Sequence, residues 1–185
     1  MKIAVIGSRG TEAHVMAFMC GLVRRIAVEN PDIVWTSGGC KEGPDEIITY
    51  LAKKYYINHV IYLPDEWKRK TMLRDGPDLN LVVAADYETD DKYRDIVNGL
   101  HPAPDALKDF HYKLHGRNLN IIAGEHLDDL VDAVIFAAKT NKDGSVKGGT
   151  GMGVAYARSR GVPTFNLNHM EDVNQFFTFL KDFNI

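Results

Sequence analysis

The sequence predicts an α/β fold with a doubly wound, mainly parallel sheet that carries helices on both faces. Short runs of consecutive apolar residues alternate with longer segments in which apolar residues recur at helical spacing. Strands that are apolar on both faces are typical of parallel sheets buried between helices. At 185 residues, the chain is expected to form a single domain, residues 1–185.

The predicted elements follow in order along the chain. A strand over 3–6 precedes a helix over 11–29, and a strand over 33–36 precedes a helix over 44–56, with Pro44 suited to its first turn. Further strands are predicted over 60–63, 133–138 and 163–167. The segment 64–116 is charged and mostly helical in pattern, and we interpret it as an elaboration on the same domain, a lid or an oligomer contact.

Composition and charge narrow the classes of function. The net charge is −3 and the pI is about 6.1, which argues against a nucleic-acid partner and against an anionic membrane. Two cysteines are too few for a disulfide framework, and no apolar run reaches membrane-spanning length, so a cytoplasmic location is expected. We predict no cofactor and no metal.

Three glycine-bearing loops each follow a predicted strand and precede a predicted helix. In a parallel sheet they would meet at one edge, where glycine and helix N-terminal amides suit a phosphate. Each loop taken alone is equally compatible with a simple tight turn. Neither the dinucleotide fingerprint nor the P-loop pattern occurs. The candidate ligand-binding residues in these loops are Gly7, Ser8, Arg9, Ser37, Gly38, Gly39, Gly43, Asp45, Gly148, Gly149, Thr150 and Gly151.

Four stretches carry a resemblance to a known family: "IAVIGSRG", "TSGGCKEGPDE", "HGRNLNIIAGEHLDDLVDAVIFA" and "KGGTGMGVAYARSRGVP". In this order they resemble the Rossmann-like SLOG superfamily, which includes DNA-processing protein A, the Lonely Guy phosphoribohydrolases and YspA-like nucleotide sensors. The resemblance covers the two ends of the chain and little of its middle. It implies a Rossmann-like fold, a homo-oligomer and a site for a nucleotide or nucleotide-derived small molecule.

The resemblance also implies roles for individual residues. The 148–151 loop would hold the phosphate, and Arg117 and Asn118 would reach in from the helix before strand 133–138. Asp45 would either bond to sugar hydroxyls or brace its loop. The plainer alternatives are that Asp45 lies in the first turn of its helix, favoured by the helix dipole, and that Arg117 forms a surface ion pair.

Lonely Guy enzymes carry a glutamate in the corresponding glycine loop, and here Ala155 takes its place. Cleavage of a glycosidic bond needs a carboxyl group, so the sequence favours binding over cleavage. The alternative is an N-glycosidase or deoxyribosyltransferase-like enzyme, whose catalytic carboxylate is unknown, with Glu42 and Asp45 as candidates and Asp86 and Glu125 further away. The third hypothesis is single-stranded DNA binding through the basic patches at 66–70, which contains Trp67, and 157–160.

Smaller signals have plain explanations. His111 and His115 share a helix face but lack further metal ligands in the sequence pattern, so we assign no metal. Cys40 lies in the second loop and is interpreted as a small filler residue. The last segment, 172–185, is rich in phenylalanine, which predicts core packing with an intersubunit contact as a second use.

Overall fold

The computed structural model describes residues 1–76, 78–84 and 91–185. Its six strands are β1 (Lys2–Gly7), β2 (Val34–Ser37), β3 (His59–Leu63), β4 (Leu81–Val83), β5 (Ala133–Ala137) and β6 (Thr164–Asn166). Its helices are α1 (Ala13–Glu29), α2 (Asp45–Tyr55), α3 (Glu66–Asp75), α4 (Asp91–Leu100), α5 (Asp109–Ala123), α6 (Gly148–Ser159) and α7 (Met170–Asp182). A short 3₁₀ turn, Pro104–Ala106, precedes α5.

All strand pairs in the sheet are parallel, in the order β4-β3-β2-β1-β5-β6. The order reverses between β1 and β5, so the switch point of the sheet lies there. The α/β, Rossmann-like fold class predicted from the sequence is therefore confirmed. The buried strand β5, with all five residues inaccessible, shows why a continuous apolar run becomes a central strand.

Helices cover both faces of the sheet. One core contains the inner side chains of α1, α2 and α7, including Met19, Leu51 and Phe176. The other contains those of α4, α5 and α6, including Val97 and Leu119. Two separate cores on opposite faces are what a doubly wound sheet requires, because each face must be shielded from water.

The segment 64–116 contributes a strand as well as helices. β4 pairs with β3 and extends the sheet by one strand at its edge. β4 was not predicted from the sequence, because its apolar run lies in a segment that was interpreted as mostly helical. The ring of His59 ties this edge together, since its Nε2 accepts a hydrogen bond from the Asn80 N–H at 3.0 Å. The roles of this segment as a lid or oligomer contact stay predictions.

The C-terminal helix packs through part of its apolar surface only. Phe176 is fully buried and packs in a group with Phe165, Phe179 and Phe183, of which Phe183 stays exposed. Phe177 is exposed as well. Homo-oligomer formation and a cytoplasmic location stay predictions. Within the described ranges, no helix is both long and apolar enough to cross a membrane.

Candidate functional site

The three glycine-bearing loops all lie at the carboxyl edge of the parallel sheet, and the first two are in contact. The Ser8 N–H donates to the Ala137 carbonyl at 2.9 Å, which joins the loop after β1 to the end of β5. The loop after β2 lies against the first, because a Cβ added to Gly43 would come within 2.6 Å of the Ser8 carbonyl oxygen. A Cβ on Gly7 would likewise overlap the Pro44 ring at 2.2 Å. Gly7 and Gly43 therefore let the loops pack against each other.

The second loop is held by a buried group that we call the brace: Gly38, Asp45 and Arg117. The Asp45 Oδ1 accepts hydrogen bonds from the Gly38 N–H at 3.1 Å and from Arg117 Nη1 at 3.3 Å. The Asp45 and Arg117 side chains are 7% and 6% exposed. Burial raises the pKa of Asp45, and the charge and hydrogen bond of Arg117 act in the opposite direction.

The brace requires glycine at position 38. A Cβ there would lie 1.1 Å from Arg117 Nη1, so the guanidinium occupies the space that any side chain would need. Gly39 follows with φ of 61°, in the left-handed region that glycine adopts without strain. Ser37 supports the same turn, because its hydroxyl donates to the Val5 carbonyl at 2.9 Å.

Arg117 has hydrogen-bonding capacity left over. Its Nε is buried without a partner among the residues the structure describes. Its Nη2 lies 3.8 Å from Cys40 Sγ, a weak acceptor. A buried guanidinium with an unused N–H is costly unless a ligand or water satisfies it. Arg117 also lines an open cleft, so its guanidinium brings a positive charge to the floor of that cleft.

The cleft, of about 420 Å³, lies above the carboxyl ends of β1, β2 and β3. Its walls come from the first two loops, the start of α3 and the start of α5. Four cationic and two acidic side chains line it together with two exposed aromatic rings, and the full lining is Arg9, Gly38, Gly39, Cys40, Lys41, Glu42, Pro64, Asp65, Trp67, Lys68, Phe110, Leu114 and Arg117. The Asp65 carboxylate accepts the Lys68 N–H at 2.7 Å as the N-cap of α3, so one of the two acids is engaged in capping.

The third loop stands apart from this cleft. Gly148, with φ of 71°, and Gly149 are exposed at the N-terminus of α6, whereas Thr150 is buried. Gly151 packs so closely that a Cβ would lie 2.1 Å from the Val146 carbonyl oxygen. Asn118 Nδ2 donates to the Gly149 carbonyl at 3.1 Å, which ties α5 to the start of α6. Neither the 148–151 loop nor Asn118 lines the cleft.

The predicted site residues thus separate into two groups. Arg9, Gly38, Gly39 and Arg117 line the cleft, and the others shape the loops or lie at the start of α6. The first two loops pack against each other and the third follows β5 at the same edge of the sheet, but a single pocket shared by all three is not found in the described part of the chain.

The candidate carboxylates differ in accessibility. Glu42 is exposed and lines the cleft, whereas Asp45 is buried in the brace. Glu125 is exposed at the end of α5, and Asp86 lies outside the described residues. Glu42 is therefore the carboxylate among the described candidates that a ligand in the cleft can reach.

Two exposed aromatic residues line the cleft, and we call them the rim. They were not among the site residues predicted from the sequence. Trp67 and Phe110 are 74% and 58% exposed. The sequence analysis placed Trp67 in a basic patch but did not assign it to the site, and it missed Phe110. An aromatic residue in a helical pattern is ordinarily core, so only its exposure in the fold shows a different role.

The histidines of this region do not form a metal site. The rings of His101 and His115 lie 5.0 Å apart, but across the described ranges no group of three or more His, Cys, Asp or Glu side chains is placed to hold a metal ion. Burial and the nearby His101, His111 and Arg117 lower the pKa of His115 to about 4, so it is neutral at physiological pH.

No protein-family model matches this sequence, and the search of curated proteins finds no match. A solved structure of DNA processing protein A from Helicobacter pylori is similar, with a TM-score of 0.59 and 18% sequence identity. The match covers 98% of this chain and 81% of that one. What the two share is the fold. DNA-processing protein A is one of the proteins named in the sequence resemblance.

The comparison also corrects one expectation. The expectation that the acidic overall charge argues against a nucleic-acid partner is wrong. The similar structure is that of a protein with a single-stranded DNA binding mode. The physical reason is that net charge averages over the whole surface. Four cationic side chains gather in one cleft of a chain whose total charge is −3.

Proposed function

We propose that the protein binds single-stranded nucleic acid, with a phosphate at the floor of the cleft and a base against its rim. The observation that carries this proposal is the combination of cationic side chains and exposed aromatic rings around one open cleft. Proteins that bind single strands without sequence preference combine a positively charged groove with rings on which bases stack. The single-stranded DNA binding of the similar structure supports the proposal.

The phosphate is assigned to the floor. Arg117 brings a positive charge there, and the exposed Arg9 and Lys41 stand on the two loops beside it. An arginine fixed by a carboxylate loses little side-chain entropy when it binds an anion, because its position is already set. The brace therefore serves to hold Arg117 ready for a phosphate oxygen.

The base is assigned to the rim. Trp67 at the start of α3 and Phe110 at the start of α5 expose large apolar surfaces that the fold itself does not use. Stacking of a base on an aromatic ring contributes about 1–3 kcal/mol and tolerates any base. We therefore propose binding with little sequence preference.

The direct test is the affinity of a fluorescently labelled oligothymidylate, measured by anisotropy at several salt concentrations. Replacing Lys41 and Lys68 by Gln should weaken binding and reduce the slope of log K against log salt by about 1.4, at about 0.7 per phosphate contact. The control Lys139→Gln/Lys142→Gln removes two charges from the loop before α6 and should leave both quantities unchanged. Absence of binding by the wild-type protein, or equal losses in both variants, would contradict the proposal.

A free nucleotide is the second candidate, favoured by the exposed Gly148 and Gly149 at the N-terminus of α6, beside the switch point of the sheet. The resemblance to the SLOG superfamily supports the same candidate, and membership of that superfamily is part of this proposal. A rise in Tm with nucleoside monophosphates that is lost in Lys139→Gln/Lys142→Gln would favour it. Release of free base that is abolished by Glu42→Ala would favour the enzyme instead.

A further inference from the structure

The outer face of α3 carries a row of residues that begins at the cleft and extends beyond it. Trp67, Lys70 and Arg74 are spaced three and four positions apart, so they lie on one side of the helix. All three are exposed. Met72, on the opposite side of α3, is buried in the core at 5% exposure. We call Trp67, Lys70 and Arg74 the outer stripe.

The two cations of the outer stripe are available for a partner. Within the described ranges, neither Lys70 nor Arg74 forms an ion pair with an acidic side chain, although Arg69 on the same helix pairs with Glu66 at 3.4 Å. The outer stripe also begins at the cleft, because Trp67 is both its first member and part of the cleft lining. It therefore continues the cationic and aromatic surface of the cleft onto the outside of the molecule.

We infer that a single strand bound in the cleft leaves it over Trp67 and runs along α3, with phosphates at Lys70 and Arg74. This inference rests on the proposed function and extends it to a longer binding site. Trp67 and Arg74 are seven positions apart, or about 10 Å along the helix at 1.5 Å per residue, which is enough to contact more than one phosphate. A partner that ended inside the cleft would leave these charges unused.

The inference predicts a dependence on strand length. Oligothymidylates of about 4 nucleotides should fill the cleft alone, whereas those of about 16 nucleotides should also reach the outer stripe. In Lys70→Gln/Arg74→Gln, affinity for the long strand should fall about tenfold, and its salt slope should decrease by about 1.4. Affinity for the short strand should not change.

Two controls complete the experiment. Arg25→Gln/Lys181→Gln removes the same charge from α1 and α7, neither of which lines the cleft, and should bind both strands as the wild type does. Lys70→Arg/Arg74→Lys keeps the charge and should retain the long-strand affinity. Equal long-strand affinity in the Gln variant and the wild type would overturn the inference while short-strand binding upholds the proposed function. Failure of the wild type to bind either strand would overturn both.

Discussion

The brace, which reaches the floor of the cleft through Gly38 and Arg117, leaves only 6% of the Arg117 side chain and 7% of the Asp45 side chain exposed, whereas the rim exposes 74% of Trp67 and 58% of Phe110. The floor consists of charged groups that are removed from water and fixed by each other. The rim consists of apolar rings that no other part of the described fold covers. The two regions should therefore respond to mutation in different ways. Changes at the floor should lower stability together with binding, and changes at the rim should affect binding alone.

The largest effect is expected from breaking the buried ion pair. Arg117→Met leaves the Asp45 carboxylate buried with only the Gly38 N–H of the brace, which should lower the free energy of unfolding by about 3–5 kcal/mol. The double variant Asp45→Asn/Arg117→Met should lose less than the sum of the two single variants, because no unpaired charge is left. Urea denaturation measures all three variants. Additive losses would show that the two residues do not act as a pair.

A slightly smaller effect is expected at Gly38. Gly38→Ala places a methyl group where the Arg117 guanidinium lies, so the brace must shift, at a cost of about 2–4 kcal/mol. The control is Gly10→Ala in the neighbouring loop, where an added Cβ meets nothing within 4 Å. Thermal unfolding should therefore separate the two variants clearly. Similar Tm values for both would contradict the packing described for the floor.

Much of the fold that positions the brace could be predicted from the sequence alone, but the brace itself could not. Apolar runs predicted five of the six strands, and the parallel arrangement then brought the glycine loops to one edge as expected. The edge strand β4 was missed because its apolar run lies in a segment whose pattern was interpreted as mostly helical. Asp45 and Arg117 are 72 positions apart, so no local sequence pattern indicates that they pair.

The rim was hidden from the sequence for a different reason. Phe110 stands in a helical segment in which an aromatic residue ordinarily packs into the core, and its exposure depends on how α5 enters the fold. The sequence signal for Trp67 was the basic patch around it, which most often is a solvated surface. Only their exposure in the folded structure distinguishes Trp67 and Phe110 from ordinary core or surface residues.

A moderate effect on stability is expected from pH, which changes the protonation of His115 and His59. The pKa of His115 is lowered to about 4, and burial lowers the pKa of His59 as well, so the unfolded chain binds protons at higher pH than the folded one. The contribution of His115 to stability is present above about pH 6.5 and is lost as pH falls toward about 4, and that of His59 also decreases as pH falls.

Lowering the pH from 7 to 5 should therefore reduce the free energy of unfolding, by about 1–2 kcal/mol for His115 after allowance for the part of its ring that solvent reaches. Urea denaturation of wild type and His115→Gln at both pH values measures this. The variant should lose less stability on acidification than the wild type. Identical losses would show that His115 does not titrate as described.

The smallest effect on stability, and the most direct test of the proposed function, is found at the rim. The chain contains two tryptophans, of which Trp35 is fully buried in β2 and Trp67 is exposed at the cleft. Quenching of tryptophan emission during titration with an oligothymidylate therefore reports on Trp67. Trp67→Leu should change the free energy of unfolding by less than about 0.5 kcal/mol.

That titration is the measurement we would place first. We predict saturable quenching at the same oligonucleotide concentrations at which anisotropy reports binding. In Trp67→Leu, the quenching should be absent and the affinity weaker by about 1–3 kcal/mol. Binding by anisotropy without any change in the emission of Trp67 would contradict the account, because the strand would then lie elsewhere on the protein.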